Sequence, residues 1–195
     1  FSVVLRPRIL QNGWPLITFA AALAVHDALI KACSLRTDIK WPNDILSNNR
    51  KLCGILAETV DTTLGRALVL GIGINLRSSA FPPDVQEIAT SVESETGKIP
   101  DLEIILSDLI SALQMRYQML QSVDGAEEIL REWSFRSSYA SGKRIRVANG
   151  QEIVEGTTRG LENDGALRVE TGEGEIRMIR AGDVTELRPV DVSRG

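Results

Sequence analysis

Asp44 and Lys51 flank Asn48-Asn49, inside the runs Lys40-Trp41-Pro42-Asn43-Asp44-Ile45-Leu46 and Arg50-Lys51-Leu52-Cys53-Gly54-Ile55-Leu56. Asn tolerates φ > 0, so Asn48-Asn49 predicts a two-residue hairpin turn. With that loop Ser47 faces Arg50, Leu46 faces Lys51 and Asp44 faces Cys53. Side chains alternate faces, so Asp44 and Lys51 become diagonal neighbours on one face, roughly 7–8 Å apart. A carboxylate and an ammonium so placed can share a phosphate, a metal ion or a substrate carboxylate. The run Gly71-Ile72-Gly73-Ile74-Asn75-Leu76 then alternates strictly. Its Gly71, Gly73 and Asn75 face buries little, but lets a flat ligand approach the backbone. Asn75 can donate and accept, as reading an adenine edge or fixing a carbonyl requires.

These residues need elements to hold them. Pro15 suits a first helical turn, and Leu16, Phe19, Ala20, Leu23, Ala24, Asp27 and Ile30 recur at helical spacing up to about Cys33. Residues 38–41, 45–47, 51–60 and 67–76 read as an antiparallel meander, with a turn over Asp61 to Arg66. Pro82-Pro83 opens a polar loop that runs to Pro100. Asp101 is a candidate N-cap for a long helix with Ile105, Leu109, Leu113 and Leu120 on its apolar stripe. A second helix spans about Ala126 to Phe135. From Lys143 onward the pattern changes to five short strands (144–148, 153–161, 166–170, 175–179, 184–187), which predicts a small barrel. Trp133 and Tyr139 read as core and interdomain packing.

Composition sets limits. The chain has 195 residues, with 22 Lys plus Arg against 26 Asp plus Glu, a net charge of −4. That is room for one domain with a good core and a small appendage, and it is no nucleic-acid footprint. The basic residues after position 142, Arg188 among them, are balanced by ten acids. The acids from Asp84 to Glu103 read as a solvated loop. Cys33 and Cys53 sit in apolar runs and read as small buried hydrophobes of a reducing, cytoplasmic compartment. His26 has no second histidine and reads as structural or solvated. The apolar stretch from Leu16 to Val25 is too short to span a bilayer.

The runs KWPNDIL, RKLCGILAE and GIGINL, in this order and spacing, resemble the biotin protein ligases. The resemblance extends from Phe1 to about Pro189, with Phe1 to Pro7 as a core strand. It implies an α+β fold: a mixed or antiparallel sheet with helices, as in class II aminoacyl-tRNA synthetase- and biotin synthetase-like catalytic domains, plus a C-terminal SH3-like β-barrel. The expected units are residues 1–140, catalytic, and 142–190, the barrel. The chain opens within a strand-like run without Met, so it reads as lacking its N-terminal part. By the family pattern that part carries a Gly/Arg-rich loop over biotin and, in some members, a helix-turn-helix module. Without the loop, these residues are expected to bind ATP or biotin weakly and not to transfer biotin.

The implied activity is that of a biotin–[acetyl-CoA-carboxylase] ligase. Biotin and ATP form biotinyl-5′-AMP, and a lysine of a biotin carboxyl carrier domain takes the biotin. The resemblance gives Lys51 and Asp44 the catalytic roles, and Lys51, Gly54 and Ile55 the biotin wall. It gives Lys40, Trp41, Asn43, Asn75 and Arg188 the nucleotide, and Asp44 a Mg2+ ion; it allows a homodimer and calls for no membrane or nucleic acid. From the residues alone the default reading of Lys51 is a solvated strand lysine and that of Trp41 a packing wall, and Asn43-Asp44 can form an Asx-type turn. Two other functions stay open: a lipoate or octanoyl transferase, and a regulator that binds biotinyl-adenylate and DNA.

Overall fold

A computed structural model describes residues 1–187 except 79, 80, 83, 84 and 86; Arg188 therefore lies outside the described residues. The chain first forms β1 (Ser2–Leu5) and, after a 3-10 turn, the helix α1 (Leu16–Cys33). The meander follows as β2 (Asp38–Lys40), β3 (Asp44–Ser47), β4 (Arg50–Thr62) and β5 (Gly65–Ile74). These strands make one sheet in the order β1-β5-β4-β3-β2, antiparallel at every pairing. Residues 1–7, expected as a core strand, thus give an edge strand of four residues that pairs only with β5.

One face of this sheet is covered and the other is open. Ile39, Ile45, Cys53, Ile55, Leu70 and Ile72 pack against α1 and are at most 4% exposed. Leu56 (57%) and Val4 (56%) lie on the opposite face. α1 is apolar all round because it is enclosed all round: residues 19–25 are 0–4% exposed. As a continuous helix it is long and apolar enough to cross a bilayer, so the shorter run read from the sequence understated it; here it is the core helix.

α3 (Leu102–Leu120) and α4 (Gly125–Arg136) complete the helical layer against α1. The Asp101 carboxylate caps α3 by accepting from Glu103 N at 2.9 Å and Ile104 N at 3.2 Å, and Ile105, Leu109, Leu113 and Leu120 are buried as expected. The polar segment from Pro82 to Pro100 is not all loop. It contains α2 (Val92–Thr96), started by Ser91 accepting from Ser94 N and stopped at Gly97 with φ 68°.

The second sheet comprises β6 (Ser141–Asn149), β7 (Glu152–Leu161), β8 (Leu167–Thr171), β9 (Ile176–Ile179) and β10 (Asp183–Glu186), in the order β10-β6-β7-β8-β9. Its buried Ile145, Val147, Val154, Leu167, Val169 and Val184 join the same apolar core as α1 and the first sheet. It and the segment leading into it are tied to the first sheet through two backbone carbonyls and one carboxylate that need partners. Ser137 Oγ donates to Ile39 O (2.6 Å), Ser138 N and Oγ donate to Asp38, and buried Trp41 Nε1 donates to Gly165 O at 3.0 Å. Gly165 has φ 83°, and a Cβ there would lie 2.8 Å from the Phe19 ring, so the turn needs glycine on both counts.

The three helices share a buried ionic cluster that sequence periodicity did not indicate. Arg116 of α3, 5% exposed, donates to Asp27 of α1 (2.6 Å) and lies 2.8 Å from Glu132 of α4, which Arg136 also contacts. Burial alone raises the Glu132 carboxyl, but hydrogen bonds from Arg116 and Arg136 and their charge bring it down from 4.5 to about 2. A lowered carboxyl contributes stability above its unfolded value and loses it as pH falls through the folded one. Urea midpoints should therefore drop between pH 4.5 and about 2, and the drop should be shallower in Glu132→Gln. Arg116→Met leaves Asp27 and Glu132 with Arg136 as their remaining cation; we expect a loss of about 3 kcal/mol in urea unfolding at pH 7, the low end for a broken buried pair because both acids keep that partner and can partly rehydrate.

Candidate active site

The hairpin forms on the expected turn, with Asn48 at φ 49° and Asn49 at φ 62°, and Ser47 opposite Arg50 and Leu46 opposite Lys51. Beyond that the register slips. Ile45 pairs with Cys53 and Asp44 with Gly54, not Cys53, because Leu52 is an extra residue in β4. The bulge has a chemical consequence. Leu52 (0%) and Cys53 (1%) both turn into the core, while Lys51 and Gly54 both stand on the open face with Asp44. Burial accordingly pushes the Cys53 thiol up to about 12, which makes it inert.

On the open face Lys51 Nζ lies 2.5 Å from Asp44 Oδ1. The lysine side chain is half exposed, whereas that of Asp44 is 14% exposed. The buried oxygen Oδ1 makes no hydrogen bond besides this ion pair. Gly54 lies directly beneath: a Cβ there would sit 3.3 Å from Lys51 Cε and 3.4 Å from Nζ. Gly73 pairs with Gly54, and a Cβ on it would meet only Gly54 O at 3.9 Å, so this part of the floor is empty space. Lys40 pairs with Asp44 and joins the same row. Lys40, Asp44 and Lys51 line one side of a cavity of about 700 Å³; Ile88, Tyr139 and Glu186 line the others.

The remaining expected residues fall differently. Ile55 is not part of this wall: strand alternation sends its side chain to the covered face, where it lines a separate cavity of about 590 Å³ with Trp14, Phe19 and Trp41. Trp41 is 1% exposed and serves as the packing wall of the alternative reading. The Asn43 amide donates to Ile55 O (2.7 Å), and its own carbonyl accepts from Ile55 N, so it fastens β3 to β4. The Asn75 amide donates to Lys51 O at 3.2 Å and its backbone N to Leu52 O at 2.9 Å, so it clamps the bulge. His26 is buried against Thr37 Oγ1 (2.8 Å), and burial lowers its pKa.

One site-supporting residue has no local sequence signal. Glu95 lies in the stretch read as a solvated acidic loop, yet its side chain is 3% exposed. Its carboxylate accepts from Ser47 Oγ, Asn48 Nδ2, Arg50 and Thr90 Oγ1 at 2.5–2.8 Å. Burial opposes its ionisation, but these donors outweigh it and hold the carboxyl below its ordinary value. Its partners are 5 to 48 positions away, so no window of sequence contains them. The helix carrying it, read from the sequence as loop, does have cap signals in Ser91 and Gly97.

This arrangement defines a class, an α+β ligase sheet followed by a small β domain. The biotin protein ligase from Aquifex aeolicus superposes with a TM-score of 0.83 at 25% identity, over 96% of this chain and 81% of that one. The same protein in complex with biotin and ATP gives 0.82, over 96% and 77%. Residues 1–75 match the biotin/lipoate A/B protein ligase family, and residues 140–185 the biotin protein ligase C-terminal domain. Biotin–[acetyl-CoA-carboxylase] ligase of Paracoccus denitrificans is 35% identical over 189 residues, 94% of this chain and 78% of that protein. The bifunctional ligase/repressor BirA of Bacillus subtilis is 34% identical over 187 residues, and the chain spans 56% of its length. The chain belongs to the biotin protein ligase family.

Because Gly73 has open space above it, Gly73→Val should leave thermal stability within about 1 kcal/mol of wild type. It should nevertheless weaken ligand binding to this face at least tenfold, roughly the effect of 1.4 kcal/mol. Isothermal titration with biotin beside a melting curve checks both; equal losses in the two would make Gly73 a packing glycine.

Proposed function

We propose that the protein is a biotin protein ligase that joins biotin to ATP as biotinyl-5′-AMP and passes the biotin to a lysine of a biotin carboxyl carrier domain. The observation that carries this is the Lys51 ammonium held against Asp44 over a floor of two glycines on an open sheet face. Relatives named for this reaction support it, as does the neighbour solved with biotin and ATP. We read residues 1–140 as the catalytic unit, 142–190 as the C-terminal unit, and the cytoplasm as its compartment.

In the first step a biotin carboxylate oxygen attacks the α-phosphorus and the bond to the β-phosphate oxygen breaks, releasing pyrophosphate. Both reactants are anions. Lys51 supplies a compact positive charge where they meet, and it acts most strongly as charge builds on the phosphoryl oxygens. Asp44 holds that charge in place, and Gly54 and Gly73 leave room for biotin close to the backbone. Ile55 contributes only its backbone, because its side chain is on the other face. Lys40, on the same side of the cavity, adds a second positive charge toward the phosphates, and Asn75 keeps the bulge that aims Lys51. In the second step the acceptor amine attacks the carbonyl carbon of the mixed anhydride and AMP leaves.

A Mg2+ ion would screen the phosphate charge when bound. Among the described residues no group of three potential ligands converges; of the carboxylates lining the cavity, Asp44 is the one paired with Lys51 and would hold the ion. One carboxylate suits Mg2+, which takes most of its ligands from phosphates and water. The repressor part of the Bacillus relatives' name is not carried over. Arg159, Arg168, Arg177 and Arg180 of the second sheet each pair with a carboxylate within 3.4 Å, which breaks up any cationic face.

Lys51→Ala in the full-length protein should lower biotin-dependent pyrophosphate release at least about 100-fold with the melting temperature retained. Wild-type rates in that variant would remove Lys51 from the reaction. Replacing biotin with lipoate in the same assay separates the two acyl classes.

A further inference from the structure

We propose that Glu95 is a positioning residue that couples residues 88–90 to Lys51, so that the wall of the cavity and its cation are held as one unit. The proposal rests on the reading of Lys51 as the reaction's cation. The backbone of Lys51 is fixed from outside the hairpin. Its N–H donates to Ile88 O at 2.8 Å, and its carbonyl accepts Thr90 N at 2.9 Å and Asn75 Nδ2 at 3.2 Å. Lys51 and Ala89 thus form an isolated parallel bridge, which among the described residues joins residues 88–90 to the start of β4. One isolated bridge is weak, and it needs a clamp that spans both sides.

Glu95 is that clamp. Its Oε2 accepts from Ser47 and Asn48 on the hairpin turn, and its Oε1 accepts from Arg50 on the hairpin and Thr90 beyond the bridge. Four donors around a buried carboxylate fill its acceptor sites, with a member of each segment on one oxygen. Ile88, whose carbonyl receives Lys51 N–H, also lines the cavity beside Lys51. Closure of this wall and placement of the ammonium therefore depend on the same carboxylate. Glu95 touches no reacting atom, so its role is exercised through Lys51.

The test uses the full-length protein with Glu95→Gln, which keeps the shape but turns an acceptor into a donor facing donors. Thr90→Val is a milder companion that removes one bond on the side of residues 88–90 only. Amide exchange at Lys51 and Thr90 should quicken at least about tenfold in both variants, while amides of α1 stay unchanged. The kcat for biotin-dependent pyrophosphate release should fall about tenfold or more, with KM for biotin within about twofold, as misplacement of a positioned group predicts. Unchanged exchange at Lys51 and Thr90 would overturn the coupling. Faster exchange with unaltered kcat would overturn the positioning role. A wild-type protein with no such release would instead overturn the ligase reading, and the exchange rates would still decide whether Glu95 holds the bridge.

Discussion

The site depends on one constraint of strand geometry, the two-residue alternation of side chains, and on the single place where it is broken. One face of the first sheet must be apolar, because α1 is enclosed against it and neither could be solvated without cost. Strict alternation through residues 51–54 would put Cys53 on the face of Lys51 and send Gly54 to the core. The extra residue Leu52 resolves the conflict: two apolar side chains go inward in succession, and Lys51 and Gly54 come out together. Bulges cost a ladder pairing. Here Asn75 and the bridge to Ala89 supply partners for the displaced backbone groups.

The open face owes its character to side chains that are missing as much as to those present. Gly54 and Gly73 face each other across β4 and β5, and the space above Gly73 is bounded by nothing within ordinary contact except one carbonyl. An ammonium beside such a floor can meet an anion without competing side chains. The partial exposure of Lys51 and the near burial of Asp44 divide the work: the acid is a fixed anchor and the lysine tip can shift to a ligand.

Polar groups add directional ties between parts that already share one apolar core. Arg116, Asp27, Glu132 and Arg136 bind three helices, and Ser137, Ser138 and Trp41 fasten the second sheet to β2 and to the strand end that leads into Asp44. The cavity beside Lys51 is bounded by both sheets for this reason, with Glu186 and Tyr139 facing Lys40 and Asp44. Where a buried polar group lacks local partners, its position carries long-range information about the fold.

The sequence by itself determined the elements whose cause is local. The Asn48-Asn49 turn, the Asp101 cap, the stripe from Ile105 to Leu120 and the five short C-terminal strands follow from backbone preferences and periodicity within a few residues. It also placed Asp44 and Lys51 on one face, because hairpin pairing and alternation are local rules. Only the tertiary structure decided what rests on distant partners. The bulge at Leu52 answers the packing of α1; Ile55 and Trp41 were withdrawn from the site by the face they occupy; Arg116 and Glu95 became buried hubs through donors and acceptors up to 89 positions away. Charge in a sequence reads as surface by default, and burial of a charge is decided by whether the fold delivers its partners.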